Sequence, residues 1–159
     1  GLVYGGGKVG LMGEIARAVL AAGGSVVGVI PEHLLAREVG FRELSDLRVV
    51  KSMHERKALM AELSDAFIAM PGGCGTIEEL FEVITWSQLG LHDKPCAVLD
   101  VEGYYAPLLA WLDHAVAERF LRHEQRAVIL SSTDPDALLD ALARYEAPTV
   151  EKWLDKGET

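Results

Sequence analysis

Short apolar runs alternate with stretches of helical periodicity along this 159-residue chain. Each run has the length of a strand, and most of the intervening stretches repeat apolar residues at the spacing of a helix with one buried face. This alternation predicts an α/β fold built on a parallel sheet. The predicted strands are residues 2–4, 25–30, 47–50, 66–70, 96–100 and 128–130, and the predicted helices are residues 10–22, 54–64, 76–89, 104–120 and 134–145.

Length and composition predict a single domain. The chain has about the size of one domain, and half of its residues are hydrophobic, which suffices for one core. We expect the domain to cover residues 1–146 and a C-terminal tail to cover residues 147–159. Because the chain opens in mid-strand, and a sheet normally flanks its central strands on both sides, we also expect an N-terminal βα unit upstream of Gly1.

Charge and cysteine content exclude several classes of protein. The formal net charge of −9 disfavours the phosphate-backbone contacts that nucleic-acid binding needs. No apolar run is long enough to span a membrane and no basic segment precedes an apolar one, so we expect a cytoplasmic protein without a membrane segment. Cys74 and Cys96 have neither CxxC spacing nor a neighbouring His cluster, which predicts free thiols and no metal site.

Two glycine-rich loops each follow a predicted strand and each open a helical pattern. The first glycine loop is residues 5–10 (GGGKVG), and the second glycine loop is residues 71–76 (PGGCGT). Backbone without side chains can approach an anion closely, and the free N–H groups of a helix start add donors and a partial positive charge. Two such loops on different strands of one sheet predict a phosphorylated ligand across the strand ends, contacted by Gly6, Gly7 and Gly72 among others.

The first glycine loop has two further interpretations. It fits the G-x-G-x-x-G spacing of a dinucleotide site, and Glu32 follows the next strand at about the distance of a ribose-binding acid. In such a site the second loop would be surplus, and Pro31 interrupts the strand end, so nicotinamide binding is disfavoured. The structural alternative is a tight strand-to-helix turn that requires positive φ.

The second glycine loop is followed by a pair of residues with two interpretations. Thr76 and Glu79 have the spacing of a capping box, in which each side chain satisfies an unpaired N–H at the helix start. Alternatively, Glu79 lies beside an anion-binding loop, where the helix dipole keeps its carboxylate ionised and able to stabilise a developing cation or position a water. Sequence alone leaves both open.

Arg56 is predicted to face inward. It precedes Met60 and Leu63 by four and seven positions, so its guanidinium shares the apolar side of the helix. A buried cation needs an anionic partner, which could be a structural carboxylate, a substrate phosphate or an active-site Glu. Lys57, one step round the helix, is most simply a solvated residue, and His54 a helix-start residue.

These motifs, in this order, resemble the LOG family, the cytokinin riboside 5′-monophosphate phosphoribohydrolases often labelled as lysine decarboxylases. The similarity extends over nearly the whole chain, and the PGGxGTxxE element together with an upstream Arg-Lys is its most specific part. The matching segments are YGGG at 4–7, GLMG at 10–13, GVIP at 28–31, MHERK at 53–57, SDAF at 64–67, PGGCGTIEE at 71–79, TWSQLG at 85–90 and GYY at 103–105.

The resemblance implies a Rossmann-like, doubly wound fold and a homodimer with its active sites at or near the subunit interface. It implies hydrolysis of the N-glycosidic bond of a nucleoside 5′-monophosphate, without a cofactor or metal. Carried over by residue, it makes Arg56 and Glu79 the catalytic pair. Gly73, Gly75 and Thr76 match the phosphate-binding loop, and we assign Met53 and Lys57 to the base and ribose. The dimer would use the helix from Thr76 and the segment through His92.

One segment of the family pattern does not occur in residues 1–159: an upstream strand ending in Cys-Gly-Ser that completes the nucleotide site. The alternative to an enzyme is a non-catalytic carrier of a nucleotide or nucleotide cofactor. Arg56 and Glu79 together favour the enzyme, since a carrier has no need for that carboxylate. A pyridoxal phosphate decarboxylase is disfavoured, because no lysine lies in a context that indicates a Schiff base.

Overall fold

The computed structural model describes residues 1–35 and 40–147, which belong to two compact units. The N-terminal unit ends at Ser64, and the C-terminal unit begins at Asp65. Each unit contains one three-stranded parallel sheet whose strand order follows the order of the chain. None of the helices within the described ranges is both long and apolar enough to span a membrane.

In the N-terminal unit, strands and helices alternate. Its elements are β1 (Leu2–Tyr4), α1 (Gly10–Ala21), β2 (Val26–Pro31), α2 (Glu32–Leu35), β3 (Asp46–Val50) and α3 (Met53–Leu63). The central strand is β2, and five of its six residues are buried, so both of its faces are covered. The core of this unit is formed by Tyr4, Ala16, Val26 and Leu44.

The C-terminal unit repeats this alternation with longer connections. Its elements are β4 (Phe67–Ala69), α4 (Cys74–Gln88), β5 (Cys96–Leu99), a 3₁₀ turn (Val101–Gly103), α5 (Ala106–Ala117), α6 (His123–Ala127), β6 (Ile129–Ser132) and α7 (Pro135–Ala143). The central strand β5 is buried together with residues of α4 and of the segment after the 3₁₀ turn. This core includes Leu80, Ile84, Cys96, Val98 and Tyr105.

The predicted fold class is confirmed. All six predicted strands are present, and every strand pairing is parallel. Two successive three-stranded parallel sheets with helical connections are consistent with a Rossmann-like, doubly wound fold. The assignment of residues 1–146 to one domain stays a prediction, and residues 148–159 of the predicted tail lie outside the described residues.

The helices differ from prediction at the start of α4, at the end of α5 and in two short helices. The helix predicted from residue 76 is α4, which begins at Cys74 because Gly73 already supplies the extended backbone of an N-cap. The helix predicted over residues 104–120 is α5, which ends at Ala117; shortly afterwards Arg119 adopts a φ of 66°, which no right-handed helix can continue. α2 and α6, of four and five residues, are not predicted because they are too short to show a helical period.

Candidate functional site

The backbone of the first glycine loop is held by hydrogen bonds from other residues of the N-terminal unit. The Tyr4 hydroxyl donates to the carbonyl of Gly7 at 3.1 Å, and Gly7 forms an isolated antiparallel bridge with Gly40. The Gly6 carbonyl accepts the Phe41 N–H at 2.8 Å. Both Gly6 and Gly7 are buried. These contacts hold the loop against the segment that leads into β3.

The conformation of this loop requires glycine. Gly6 and Gly10 have φ values of 72° and 61°, a region that residues with a Cβ rarely adopt. The interpretation as a tight strand-to-helix turn with positive φ is therefore confirmed. At Gly5 the reason is different: an added Cβ would overlap the guanidinium of Arg56. Gly5 thus makes room for a charged side chain.

Arg56 lies inside the N-terminal unit, as its helical position predicts. Only 8% of the residue is exposed, and its Nε donates to the carbonyl of Val29 at 3.2 Å. The start of α3 is capped two ways: the Ser52 hydroxyl accepts the Glu55 N–H at 3.1 Å, and the Glu55 carboxylate accepts the Lys51 N–H at 2.9 Å. This cap fixes the first turn of the helix that carries Arg56.

The other two assignments on α3 lie on either side of Arg56. Met53 is the first residue of the helix and is 36% exposed. Lys57 is half-buried. His54 is exposed in the first turn, as predicted. The roles of Met53 and Lys57 toward a base and ribose stay predictions.

The capping-box interpretation of the second glycine loop is wrong. The N-cap of α4 is Gly73, with no side-chain hydrogen bond to the cap, and Thr76 is the third residue of the helix. Glu79 therefore lies in the second turn, where no unpaired N–H needs it. The Thr76 side chain instead packs over Gly72, where an added Cβ would overlap its hydroxyl. Sequence reasoning placed the cap too late because a glycine can serve as the cap itself.

Two glycines of the second loop are required neither by steric contacts nor by backbone conformation within the described residues. No described atom lies within 4 Å of a Cβ added at Gly73 or Gly75, and neither residue has positive φ. Gly75 lies inside α4, where glycine is destabilising by roughly 0.5–1 kcal/mol relative to alanine. The backbone at these two positions is therefore open to close approach.

Two tyrosines that the sequence analysis did not assign hold the second loop. The Tyr104 hydroxyl donates to the Gly72 carbonyl at 2.7 Å, and the Tyr105 hydroxyl donates to the Met70 carbonyl at 2.6 Å. Burial raises the pKa of Tyr105, which keeps its hydroxyl protonated as a donor. Both residues belong to the GYY segment of the family resemblance, which was the signal for them in the sequence.

Glu79 and its neighbour differ in burial. Glu79 is half-buried on α4, whereas Glu78 is exposed, as expected for adjacent residues on a helix. Glu79 belongs to the C-terminal unit and Arg56 to the N-terminal unit. Their action as a catalytic pair stays a prediction.

The end of α4 is held by His92. Its Nε2 is 2.9 Å from the Val83 carbonyl, and its Nδ1 accepts the Lys94 N–H at 3.1 Å. These two contacts correspond to the neutral ring with the proton on Nε2. Trp86 is half-buried on the same helix, and its carbonyl accepts the Leu91 N–H at 2.9 Å. His92 therefore shapes the turn after α4.

Known proteins resemble this chain over most of its length. Residues 12–142 match the family described as "Possible lysine decarboxylase". The chain is 51% identical over 155 residues to the probable cytokinin riboside 5′-monophosphate phosphoribohydrolase LOGL2 of Oryza sativa subsp. japonica, which covers 98% of this chain and 63% of that protein. The chain belongs to the LOG family.

Bacterial and plant members of the LOG family are similarly related to it. The cytokinin riboside 5′-monophosphate phosphoribohydrolase of Rhodococcoides fascians is 54% identical over 142 residues, which are 89% of this chain and 72% of that protein. LOG1 of Arabidopsis thaliana is 51% identical over 155 residues, which are 98% of this chain and 72% of that protein. The chain spans less than two thirds of the length of the rice relatives LOGL2 and LOGL1.

The thiols of this LOG-family chain match the sequence prediction. Cys96 is buried in β5, where burial raises its pKa to about 12, and Cys74 is exposed at the first residue of α4. Both are free thiols. Within residues 1–35 and 40–147, no group of three His, Cys, Asp or Glu side chains is arranged to hold a metal ion.

Proposed function

We propose that this LOG-family chain hydrolyses the N-glycosidic bond of a nucleoside 5′-monophosphate, releasing the free base and ribose 5-phosphate. The observation that carries this proposal is the start of α4, where Gly73 and Gly75 leave the backbone open and Glu79 follows one turn later. The names of relatives that are 51–54% identical to the chain point to the same reaction. A cytoplasmic location stays a prediction from sequence.

The second glycine loop is the proposed phosphate site. The first hydrogen bond at the start of α4 runs from the Ile77 N–H to the Gly73 carbonyl at 3.2 Å, so the preceding N–H groups lie before the helical ladder. They are available to the 5′-phosphate, and the dipole of the 15-residue helix favours the negative charge. Gly72, Gly73, Gly75 and Thr76 are the residues of this site.

Glu79 is the proposed catalytic carboxylate. Cleavage of a glycosidic bond passes through an oxocarbenium-like state, which a fixed negative charge near the sugar stabilises. The electron pair of the C1′–N bond leaves with the base, and a water oxygen forms the new bond to C1′. One water proton stays on the new ribose hydroxyl, and the other reaches the base nitrogen through the Glu79 carboxylate.

Arg56 and its neighbours are proposed to orient the nucleoside. A buried guanidinium presents a planar, forked set of donors, and Arg56 is held by the Val29 carbonyl beside Gly5. We assign it to holding the ribose and Glu79 in register, with Met53 and Lys57 toward the base and ribose. Gly6 and Gly7 remain candidates for the phosphate, although their contacts within the N-terminal unit make them weaker ones than the second loop.

The homodimer is also part of the proposal. Leu89 and Leu91, at the end of α4, are 66% and 69% exposed, and large apolar side chains gathered at one place favour burial against a partner. The surface from α4 through His92 is therefore the proposed interface. Sedimentation of the purified chain measures its oligomeric state, and a fully active monomer would contradict this part of the proposal.

The proposed reaction is tested by incubating the chain with AMP and with isopentenyladenosine 5′-monophosphate and measuring free base and ribose 5-phosphate. The unphosphorylated nucleosides are the matched controls. We expect their turnover to be at least roughly a hundredfold slower, because they lack the charge-assisted hydrogen bonds of the phosphate. Equal rates would contradict the phosphate site, and tight binding without any product would make the chain a nucleotide carrier.

A further inference from the structure

Tyr104 and Tyr105, in the segment after β5 and the 3₁₀ turn, donate their hydroxyls to the second glycine loop and to the residue just before it. Tyr104 donates to the Gly72 carbonyl at 2.7 Å, and Tyr105 donates to the Met70 carbonyl at 2.6 Å. The Tyr105 N–H is bound in turn by the Asp100 carboxylate at 2.6 Å, and the two rings meet edge to face at 5.2 Å. The pair is thus itself fixed where it contacts the loop.

The contact made by Tyr104 has a consequence for the next residue. The carbonyl of Gly72 and the N–H of Gly73 belong to one planar trans peptide, in which the two groups point in opposite directions. Holding the carbonyl therefore also sets the direction of the Gly73 N–H, which points away from the tyrosine. Gly73 is the N-cap of α4, so this N–H is one of the donors at the helix start.

The contact made by Tyr105 has no such consequence. The carbonyl of Met70 shares its peptide with Pro71, which has no N–H. Tyr105 is also buried, with 1% of the residue exposed, whereas Tyr104 is 53% exposed. The Tyr105 hydroxyl therefore anchors the loop to the core, whereas the Tyr104 hydroxyl sets the direction of the Gly73 N–H.

The hydrogen bond from Tyr104 restrains a peptide between two flexible residues. Gly72 and Gly73 are adjacent glycines, which have more backbone freedom than any other residue pair. The space where a Cβ of Gly73 would lie is open in the described structure, so no side chain packs against it there. A hydrogen bond from outside the loop removes this freedom before a ligand arrives.

We propose that Tyr104 is a positioning residue of the phosphate site: its hydroxyl orients the Gly73 N–H toward the bound phosphate. This inference rests on the proposed function of the second glycine loop. It assigns to Tyr105 a different task, which is to anchor the loop to the core of the C-terminal unit.

The variant Tyr104→Phe tests the proposal. The measured quantities are the Kd for inorganic phosphate, followed through the amide NMR signal of Gly73, the KM and kcat for AMP, and the melting temperature. We expect both the Kd and the KM to rise roughly three- to tenfold, the range that one ordinary hydrogen bond supports, with kcat and melting temperature little changed. An unchanged Kd for phosphate would overturn the proposal.

Tyr105→Phe is the matched comparison, and Tyr145→Phe, a hydroxyl removed just after α7, is the neutral control. Tyr105→Phe leaves the Met70 carbonyl without its donor, so we expect a lower melting temperature and a smaller change in phosphate affinity than in Tyr104→Phe. If the two variants lost affinity only in proportion to their loss of stability, Tyr104 would be a structural residue and the proposal would be wrong.

Phosphate binding and turnover separate this inference from the proposed function. A wild-type chain that binds phosphate in a Tyr104-dependent way but releases no base from AMP would refute the hydrolase and keep the role of Tyr104. A wild-type chain that releases base with no dependence of KM on Tyr104 would keep the hydrolase and refute the positioning role. A chain that binds neither phosphate nor AMP would overturn both.

Discussion

The two glycine loops look alike in sequence, yet the structure uses their glycines differently. In the first loop, Gly5 makes room for Arg56, and Gly6 and Gly10 adopt positive φ. In the second loop, Gly72 makes room for Thr76 and Gly73 is the N-cap of α4, but within the described residues nothing comparable explains Gly75. A glycine that its own fold explains says little about a ligand. A glycine that the fold does not explain is the stronger sign of a binding site.

A second pair of similar sequences makes the same point for helix starts. Ser52 and Glu55 have the spacing of a capping box, and both side chains cap the start of α3: Ser52 accepts the Glu55 N–H, and Glu55 accepts the N–H of Lys51, one residue before the N-cap. Thr76 and Glu79 have the same spacing, but α4 has already begun at Cys74. The glutamate of the first pair caps its helix, whereas the glutamate of the second pair lies in the second turn of α4, beyond the N–H groups of the helix start.

The largest expected effect is on the glutamate of the second pair, Glu79. Glu79→Gln removes the negative charge that stabilises an oxocarbenium and weakens the base for water, so we expect turnover of AMP to fall by roughly two or more orders of magnitude. Because Glu79 caps no helix, the melting temperature should remain within a few degrees. Glu78→Gln, on the exposed side of the same turn, is the control and should retain turnover. A Glu79→Gln chain with normal turnover would remove the catalytic assignment.

The next effect tests the first loop. In Gly5→Ala the new methyl group would overlap the buried Arg56 guanidinium, and we expect the free energy of unfolding to fall by about 1–3 kcal/mol in denaturant titrations. The sharper measurement is the double variant with Arg56→Ala, in which the overlapped group is gone and the further loss from Gly5→Ala should shrink. Additive losses would mean that Gly5 serves something other than Arg56.

The smallest expected effect is that of Gly75→Ala, which should raise the free energy of unfolding instead of lowering it. Gly75→Ala places a methyl group in open space inside α4, so we expect the free energy of unfolding to rise by about 0.5–1 kcal/mol. Phosphate affinity should nevertheless fall, because the methyl group lies beside the helix-start N–H groups. If stability fell, the glycine would be required by the fold. If phosphate affinity were unchanged, the open backbone at Gly75 would not be evidence that the second loop binds phosphate.

The fold was predictable because its signals are local. Each strand is an apolar run that can be recognised within a few residues, and parallel pairing follows from the helices between the runs. The inward direction of Arg56 also follows from helical spacing alone. The end of α5 was not predictable, because it depends on a left-handed conformation at Arg119, a residue type that rarely adopts one.

The details of the site were harder to predict because they depend on contacts between distant residues. The reason for Gly5 is Arg56, which follows it by 51 positions, and the carbonyl of Gly72 is held by Tyr104, which follows it by 32 positions. Neither partner has a periodic or spacing signal that points to the loop. The start of α4 differs from the prediction for another reason: Thr76 and Glu79 have the spacing of a capping box, whereas a glycine cap has no side-chain signal in the sequence.

The strand order of each sheet has a consequence for how the chain folds. Both sheets place their strands in the order of the chain, so every strand pairs with a neighbour that lies one connection away. Each pairing spans a single strand-to-strand connection, so it needs less loop closure than a strand order in which paired strands are further apart in the chain. All three strands of the first sheet lie before residue 51, so that sheet can assemble during synthesis before the strands of the second have left the ribosome.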